Sequence, residues 1–314
     1  MKIAVLGAAG GIGQPLSLLL KIGLSKEHVL AINDIASFTP GVAADLAHIS
    51  AGCKVQSIKQ VNLAETLEGA NVVLIPAGVP RKNDKQTRAE LFSINAGIVK
   101  GLAEEIAKYC PKAIIGIITN PVNSTVPVVS DVLKRFNVYD SRRILGVTTL
   151  DVVRSETFVS EVMGVDASTV KVNVIGGHSG KSILPLLSQV KGLNVSNGQI
   201  EELTTRIQDA GTEVVAAKGG TGSATLSMAY AAARFCFSVV RALNGEKGIV
   251  ECAYVANDQY GTKYFASPVE LGAEGVDRIL PLGQLSVYEE RLLSELQGVL
   301  VEDVTLGEEF ARNN

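Results

Sequence analysis

The sequence predicts an α/β protein: a doubly wound parallel sheet followed by an α+β unit. Three observations carry this reading. Residues 2–13 run K-I-A-V-L-G-A-A-G-G-I-G, a short apolar segment leading straight into closely spaced glycines. Similar apolar runs recur at 29–32, 71–76, 113–118 and 144–147, alternating with helical patterns. Short, continuously apolar runs suit strands buried on both faces, and strand–helix alternation with right-handed crossovers gives a parallel sheet. From about residue 148 the pattern changes to long helical stretches and apolar segments that read as antiparallel strands. The chain therefore divides near residue 147, into a dinucleotide-binding unit at 1–147 and a substrate and catalytic unit at 148–314.

The glycine turn comes first. Gly7, Gly10 and Gly13 follow the first strand at three-residue steps, and the helical stripe Ile12, Leu16, Leu19 and Leu20 follows them. This is a variant of G-x-G-x-x-G in a Rossmann sheet, with the middle glycine one place later. The chain must turn sharply, expose bare backbone to a pyrophosphate and seat a helix tightly on the sheet. The helix N-terminus then offers unpaired N–H groups to the phosphates. The run 29–32 ends in Asp34, an acidic residue about twenty positions on, where a carboxylate accepts from ribose hydroxyls.

The remaining elements follow in order. A helix is expected at 14–23, a turn at Pro40-Gly41 and a helix at 42–49. Residues 79–88, V-P-R-K-N-D-K-Q-T-R, read as a polar surface loop. A long amphipathic helix over 89–109 carries Leu91, Ile94, Ile98, Leu102 and Ile106 on one stripe. Thr119-Asn120-Pro121 stops the next strand, and a helix covers 126–136. Thr149 is placed to cap a helix running to 163. A strand at 170–175 leads into the loop Gly176-Gly177-His178-Ser179-Gly180. Helices are expected at 198–217 and 223–243, antiparallel strands at 249–255, 264–271 and 276–280, and a closing helix at 286–301.

Composition narrows the function. The chain has 314 residues, 46% of them hydrophobic, enough for a sizeable core. The net charge of −3 and the lack of a basic block argue against nucleic acid as a partner. The apolar runs fall short of the ~18 residues that span a bilayer, so no membrane association is expected. The first strand begins at once, leaving no room for a signal or transit peptide, and the last residues are not a peroxisomal address. Cys53, Cys110, Cys236 and Cys252 are far apart, without metal-ligand spacing. They read as buried, reduced thiols in a cytoplasmic protein, or in the mitochondrial matrix for a mature chain.

Asp151 and Arg154 lie three apart on one helix and share a face. His178 sits in a glycine-rich loop. Singly, a loop histidine is more often structural, and an i,i+3 Asp–Arg pair is usually a solvated face. Beside a dinucleotide fold they form a coherent set: a carboxylate that orients an imidazole, and a guanidinium for bidentate capture of a carboxylate. Arg81 and Arg88 leave the carboxyl end of a parallel strand, where ligands bind in such sheets, on a segment suited to a lid.

Taken together, V-L-G-A-A-G-G-I-G, P-G-V-A-A-D-L-A-H, I-G-I-I-T-N-P-V-N-S-T, G-V-T-T-L-D-V-V-R, V-I-G-G-H-S-G and G-S-A-T-L-S-M-A span most of the chain. In these the sequence resembles the malate dehydrogenases of the mitochondrial and enteric-bacterial type, within the lactate/malate dehydrogenase superfamily. The resemblance implies NAD as cofactor, a small 2-hydroxy or 2-keto acid as substrate and a homodimer. It implies His178 as the acid/base with Asp151 as its partner. Arg154 would hold the first carboxylate, Arg88 polarise the reacting carbonyl and Arg81 read the second carboxylate. The NAD site would be lined by Gly7, Ala8, Ala9, Gly10, Gly11, Ile12, Gly13, Asp34, Asn95, Ile118, Thr119, Asn120 and Met228, with Asn120 also touching substrate. One segment departs from the family, whose loop runs Arg-Lys-Pro-Gly-Met-x-Arg. Here Arg81 and Arg88 are one step farther apart and Asn83-Asp84-Lys85-Gln86 fills the middle. Counting back from Arg88 makes Lys82 the alternative to Arg81. The alternatives to malate are a lactate or aromatic 2-hydroxy acid and, in another class, a non-catalytic NAD-binding sensor.

Overall fold

The computed structural model describes residues 1–56, 62–79 and 88–313. Of the loop 79–88, residues 80–87 lie outside this set, Arg81 and Lys82 among them, and so does Asn314.

Six strands form the parallel half of the sheet: β1 (Lys2–Leu6), β2 (Val29–Asn33), β3 (Lys54–Val55), β4 (Val72–Ile75), β5 (Ile114–Ile117) and β6 (Ile144–Val147). Their spatial order is β3-β2-β1-β4-β5-β6, and every neighbouring pair is parallel. This is the doubly wound order, which reverses between β1 and β4 and opens a crevice at the carboxyl ends of the strands. β1 shows why its sequence reads as continuously apolar. Ile3 and Val5 enter one core, Ala4 and Leu6 the other, as the alternation of side chains along a strand requires. The first core takes Leu16 and Leu20 of α1 (Gly13–Gly23). The second takes Phe92 and Val99 of α4 (Arg88–Tyr109) and Val126 and Val129 of α5 (Val122–Arg135).

The sheet does not stop at β6. β9 (Ile249–Ala256) pairs antiparallel with it, Gly146 opposite Tyr254 and Val147 opposite Ala253. β10 (Tyr264–Gly272), β7 (Val174–Gly176) and β8 (Ile183–Pro185) continue the order, with β11 (Gly275–Ile279) on β10. A third core, including Val152, Val159, Leu203 and Ile207, lies under α6 (Thr149–Met163) and α7 (Asn197–Ala217).

Several elements differ from expectation for identifiable reasons. The helix expected at 126–136 begins four residues earlier, at Val122 directly after Pro121, and keeps Pro127 in its interior. Pro127 cannot give an N–H to the Asn123 carbonyl, and the Tyr254 hydroxyl donates there instead, at 3.4 Å. Thr149 does not cap α6: Thr148 precedes the helix, and the Thr149 hydroxyl is buried without a hydrogen-bond partner among the described residues. The closing helix, α9 (Val287–Asn313), runs well past 301. Val304, Gly307 and Ala311 keep its inner face buried, and a Cβ on Gly307 would meet the Ser124 carbonyl. The expected strand at 170–175 shortens to β7, with a 3-10 turn at 167–169 before it. β3, β8 and α3 (Leu63–Leu67) were too short to leave a periodic signal. Among the described helices, α8 (Leu226–Leu243) alone is long and apolar enough to cross a membrane. It is a core helix: eleven of its residues are buried, and its Arg234 pairs with Glu156 of α6 at 2.5 Å.

Candidate active site

The predicted site residues gather where the parallel strands end. The turn 7–13 follows β1, Asp34 follows β2, Asn95 reaches the segment after β4, Ile118–Asn120 follow β5 and Asp151 lies in the first turn after β6. The carboxyl edge of a doubly wound sheet is the general ligand position of this architecture.

The glycine turn is a close approach of backbone to backbone. Gly7 has φ +100°, and its N–H and that of Ala8 donate to the Asn33 carbonyl at 2.8 and 3.0 Å. A Cβ on Gly13 would lie 2.0 Å from the Gly7 carbonyl oxygen and 2.6 Å from Ala8 Cα, so only glycine lets α1 start against the turn. Gly10 and Gly11 are exposed, leaving bare backbone open to a pyrophosphate. A Cβ on Gly11 would touch the Thr225 methyl at 3.1 Å, which brings the start of α8 beside the turn. The Ala9 N–H donates to Asp34 Oδ2 at 2.9 Å and the Ala36 N–H to Oδ1 at 3.1 Å. A carboxylate has about four acceptor positions, so Asp34 retains capacity for ribose hydroxyls. The residues present fit a dinucleotide.

The facing wall is held by Asn95, which is 3% exposed. Its Oδ1 accepts from the Val79 N–H at 2.9 Å, and its Nδ2 donates to the Asn120 carbonyl at 2.9 Å. Thr119 donates to the Ala77 carbonyl at 2.6 Å, tying the ends of β4 and β5 together. Ile118 and Thr119 are buried and Asn120 is exposed, ahead of the cis peptide Asn120–Pro121. Ile12, Ile118 and Met228 belong to one core, with Met228 4% exposed.

His178 Nδ1 lies 2.5 Å from Asp151 Oδ2, and the Asp151 side chain is wholly buried. Arg154 NH1 stands 3.8 Å from Asp151 Oδ1, an oxygen with no hydrogen-bond partner among the described residues. Burial lowers the Arg154 guanidinium from its ordinary value, against the opposing charges of Asp151 and Glu213. The structure thus joins His178 to Asp151, 27 positions earlier in the sequence, and to the Arg154 beside it. Asp151 occupies Nδ1, so Nε2 is the ring nitrogen left for proton transfer. Arg88 opens α4, and Arg81 falls outside the described residues.

The sequence reading passed over Asn123, whose Oδ1 accepts from the His178 backbone N–H at 2.8 Å. Its only signal was the second asparagine of T-N-P-V-N. Thr225, beside the glycine turn, was likewise given no role, although it lies within G-S-A-T-L-S-M-A.

Comparison with known proteins agrees with this geometry. Residues 1–146 match the NAD binding domain of the lactate/malate dehydrogenases, and residues 148–311 match their alpha/beta C-terminal domain. A malate dehydrogenase of Photobacterium profundum is 58% identical over 99% of both chains. One of Vibrio parahaemolyticus is 57% identical over 99% of this chain and all of its own. A solved malate dehydrogenase of Cryptosporidium parvum superposes with a TM-score of 0.80 at 29% identity, covering 97% of this chain and 98% of that one. The lactate dehydrogenase of the same organism, solved with lactic acid and nicotinamide adenine dinucleotide, gives 0.81 at 28% identity over 100% and 98%. With both halves matched end to end, and an imidazole–carboxylate pair beside an arginine at the carboxyl edge of the sheet, the chain belongs to the lactate/malate dehydrogenase family.

Proposed function

We propose that the protein is an NAD-dependent L-malate dehydrogenase that interconverts malate and oxaloacetate. The observation that carries the mechanism is the 2.5 Å pairing of His178 with buried Asp151, with Arg154 at 3.8 Å from the same carboxylate. The substrate assignment rests on relatives 57–58% identical that bear this name.

When bound, NAD supplies the group that exchanges hydride with carbon 2 of the substrate. The chain's residues do the rest. His178 takes the hydroxyl proton at Nε2 on oxidation and returns it on reduction. Asp151 fixes the tautomer and stabilises the imidazolium. Arg154 holds the carboxylate next to the reacting carbon, and Arg88 draws charge from the carbonyl oxygen. Asn120 borders both substrate and cofactor. Gly7, Ala8, Ala9, Gly10, Gly11, Ile12 and Gly13 cradle the pyrophosphate and Asp34 accepts from the ribose. Asn95, Ile118, Thr119 and Met228 line the rest of the cofactor site. Arg81 reads the far carboxylate, with Lys82 its alternative. Residues 1–147 supply most of the dinucleotide site, and 148–314 supply Met228 together with His178 and Arg154.

A cytoplasmic homodimer completes the reading. Its bacterial relatives and four buried free thiols support the location. A cavity of about 570 Å³, lined by Leu19, Tyr230, Phe237 and Val250 together with Lys171, Arg234, Arg241 and Glu251, supports the dimer. Tyr230 is 54% and Val250 44% exposed there, apolar groups that a second copy would cover. Sedimentation at micromolar concentration tests this.

The activity test is NADH oxidation with oxaloacetate, pyruvate and phenylpyruvate. Preference for oxaloacetate is expected. Preference for either other acid transfers the function to that 2-hydroxy acid, and NADH binding without turnover of any of them leaves a sensor.

A further inference from the structure

The loop that carries His178 is held from behind by one buried amide. Asn123 is the second residue of α5 and is 1% exposed. While its oxygen accepts from the His178 backbone N–H, its Nδ2 faces three acceptors. These are Asp303 Oδ2 of α9 at 2.9 Å, Ser179 Oγ at 3.0 Å and Ser182 Oγ at 3.3 Å. The serines close the network: the Ser179 N–H donates to Ser182 Oγ at 3.0 Å, and the Ser179 hydroxyl to Asp303 Oδ2 at 3.3 Å. The Asn123 peptide oxygen is fixed as well, by the Tyr254 hydroxyl that replaces the N–H missing at Pro127. The loop presses directly on this amide. A Cβ on Gly177 would lie 2.8 Å from Asn123 Nδ2 and 2.7 Å from Ser182 Oγ.

A network of this kind stabilises any fold, but its address here is specific. Its acceptor goes to the backbone of His178 itself. The same turn of chain carries Asn120, three residues earlier, at the mouth of the site. One side chain thus ties the backbone of His178 to the start of α5, which follows directly on the Asn120–Pro121 segment. We infer that Asn123, braced by Asp303, is the positioning residue that sets His178 against the substrate. This rests on the reading of His178 as the acid/base.

Three variants test it: Asn123→Ala, Asn123→Asp and the double variant that combines Asn123→Asp with Asp303→Asn. Asn123→Ala removes the acceptor behind His178. Asn123→Asp keeps that acceptor but replaces the donor facing Asp303 Oδ2 with a second carboxylate oxygen, so that like charges repel across the network. Asp303→Asn in that background restores a donor facing an acceptor. Misplacement by about 1 Å costs on the order of 10²-fold in rate. Asn123→Ala is therefore expected to lose about that much kcat, with the KM for the keto acid and the Kd for NADH changed less than about twofold. Asn123→Asp loses a comparable amount, and the double variant recovers at least about tenfold of it. The inference is overturned if folded Asn123→Ala keeps kcat, if kcat and NADH affinity fall together, or if the double variant is no better than Asn123→Asp. Should Asn123→Ala fail to fold, recovery in the double variant decides alone. The ratios are read with whichever keto acid the wild type reduces best, so an error in the substrate leaves them intact. A wild type that reduces none of the three acids overturns the dehydrogenase reading and this inference with it.

Discussion

Replacing Asp151 by asparagine separates the charge of this residue from its shape. The carboxylate is wholly buried and 2.5 Å from His178 Nδ1. An amide of the same outline has two ways to sit there. With its NH2 toward the ring, Nδ1 must accept, and the ring proton moves to Nε2, the atom that has to receive the substrate proton. With its oxygen toward the ring, the hydrogen bond survives but the imidazolium loses its counter-charge. Either arrangement costs kcat about 10²- to 10⁴-fold, or roughly 3–5 kcal/mol at about 1.4 kcal/mol per decade. Substrate binding moves the other way. At 3.8 Å and an effective dielectric of about 20, Asp151 attracts Arg154 by about 4 kcal/mol before desolvation is counted. Removing that charge leaves more of the guanidinium field for the substrate carboxylate, so KM should hold or fall. The expected signature is a large loss in kcat, no rise in KM and unchanged NADH affinity. NADH absorbance gives the rates. Nucleotide fluorescence gives the affinity against a clean background, since the chain has no tryptophan. His178→Asn should be more severe, and adding Asp151→Asn to it should cost little more, because the two act as a unit. Asp151→Asn protein that keeps more than about half its kcat would refute the pairing as part of the mechanism.

Asp34→Ser should relax the preference for NAD over NADP, since Ile35, Ala36 and Ser37 supply no cation for a 2′-phosphate; equal wild-type efficiency with both cofactors would remove Asp34 from the ribose site. Gly13→Ala sets a methyl into the Gly7 carbonyl and must lift α1 from the turn. It should cost about 1–3 kcal/mol of stability and weaken NADH binding, and unchanged melting and Kd would contradict the close approach. Arg81→Gln should damage oxaloacetate reduction by about 10²-fold or more and spare pyruvate, whereas Lys82→Gln changes little; the reverse pattern would hand the far carboxylate to Lys82. Glu251 gives a pH test. Burial raises its carboxyl above the ordinary value, opposed by the Ser238 hydroxyl and the Arg234 charge. The folded state then keeps this proton to higher pH than the unfolded chain does, so stability falls as pH rises from the unfolded to the folded value. Glu251→Gln should flatten that slope and melt higher than wild type above it, as scanning calorimetry across the acid range would show; parallel pH curves would exclude it.

Much of the fold was legible because its signals are local. β1, β4, β5 and β6 announce themselves as apolar runs, since both faces of a parallel strand are covered. The turn 7–13 is legible because backbone touching backbone admits only glycine, at Gly7 and Gly13. What escaped was decided by distant contacts. The first turn of α5, ahead of Val126, was missed, and there the Tyr254 hydroxyl of β9 meets the Asn123 carbonyl that Pro127 leaves without a donor. The closing helix was ended at 301, but α9 runs on because Val304, Gly307 and Ala311 stay buried, with Gly307 against the Ser124 carbonyl. Asn123 looked like any asparagine, because its partners lie 55, 59 and 180 positions away.

The sequence by itself determined the parallel unit, its glycine turn, the acid at the end of the second strand and the residues proposed for the acid/base pair. Each depends on steric or periodic rules that act over a few residues. Only the tertiary structure decided that Asp151 meets His178 at hydrogen-bond distance, that Arg154 shares its carboxylate, and that the sheet runs on from β6 into β9. Those outcomes turn on which buried polar groups find partners across the chain. A buried carboxylate or amide has no preferred partner until the core closes around it.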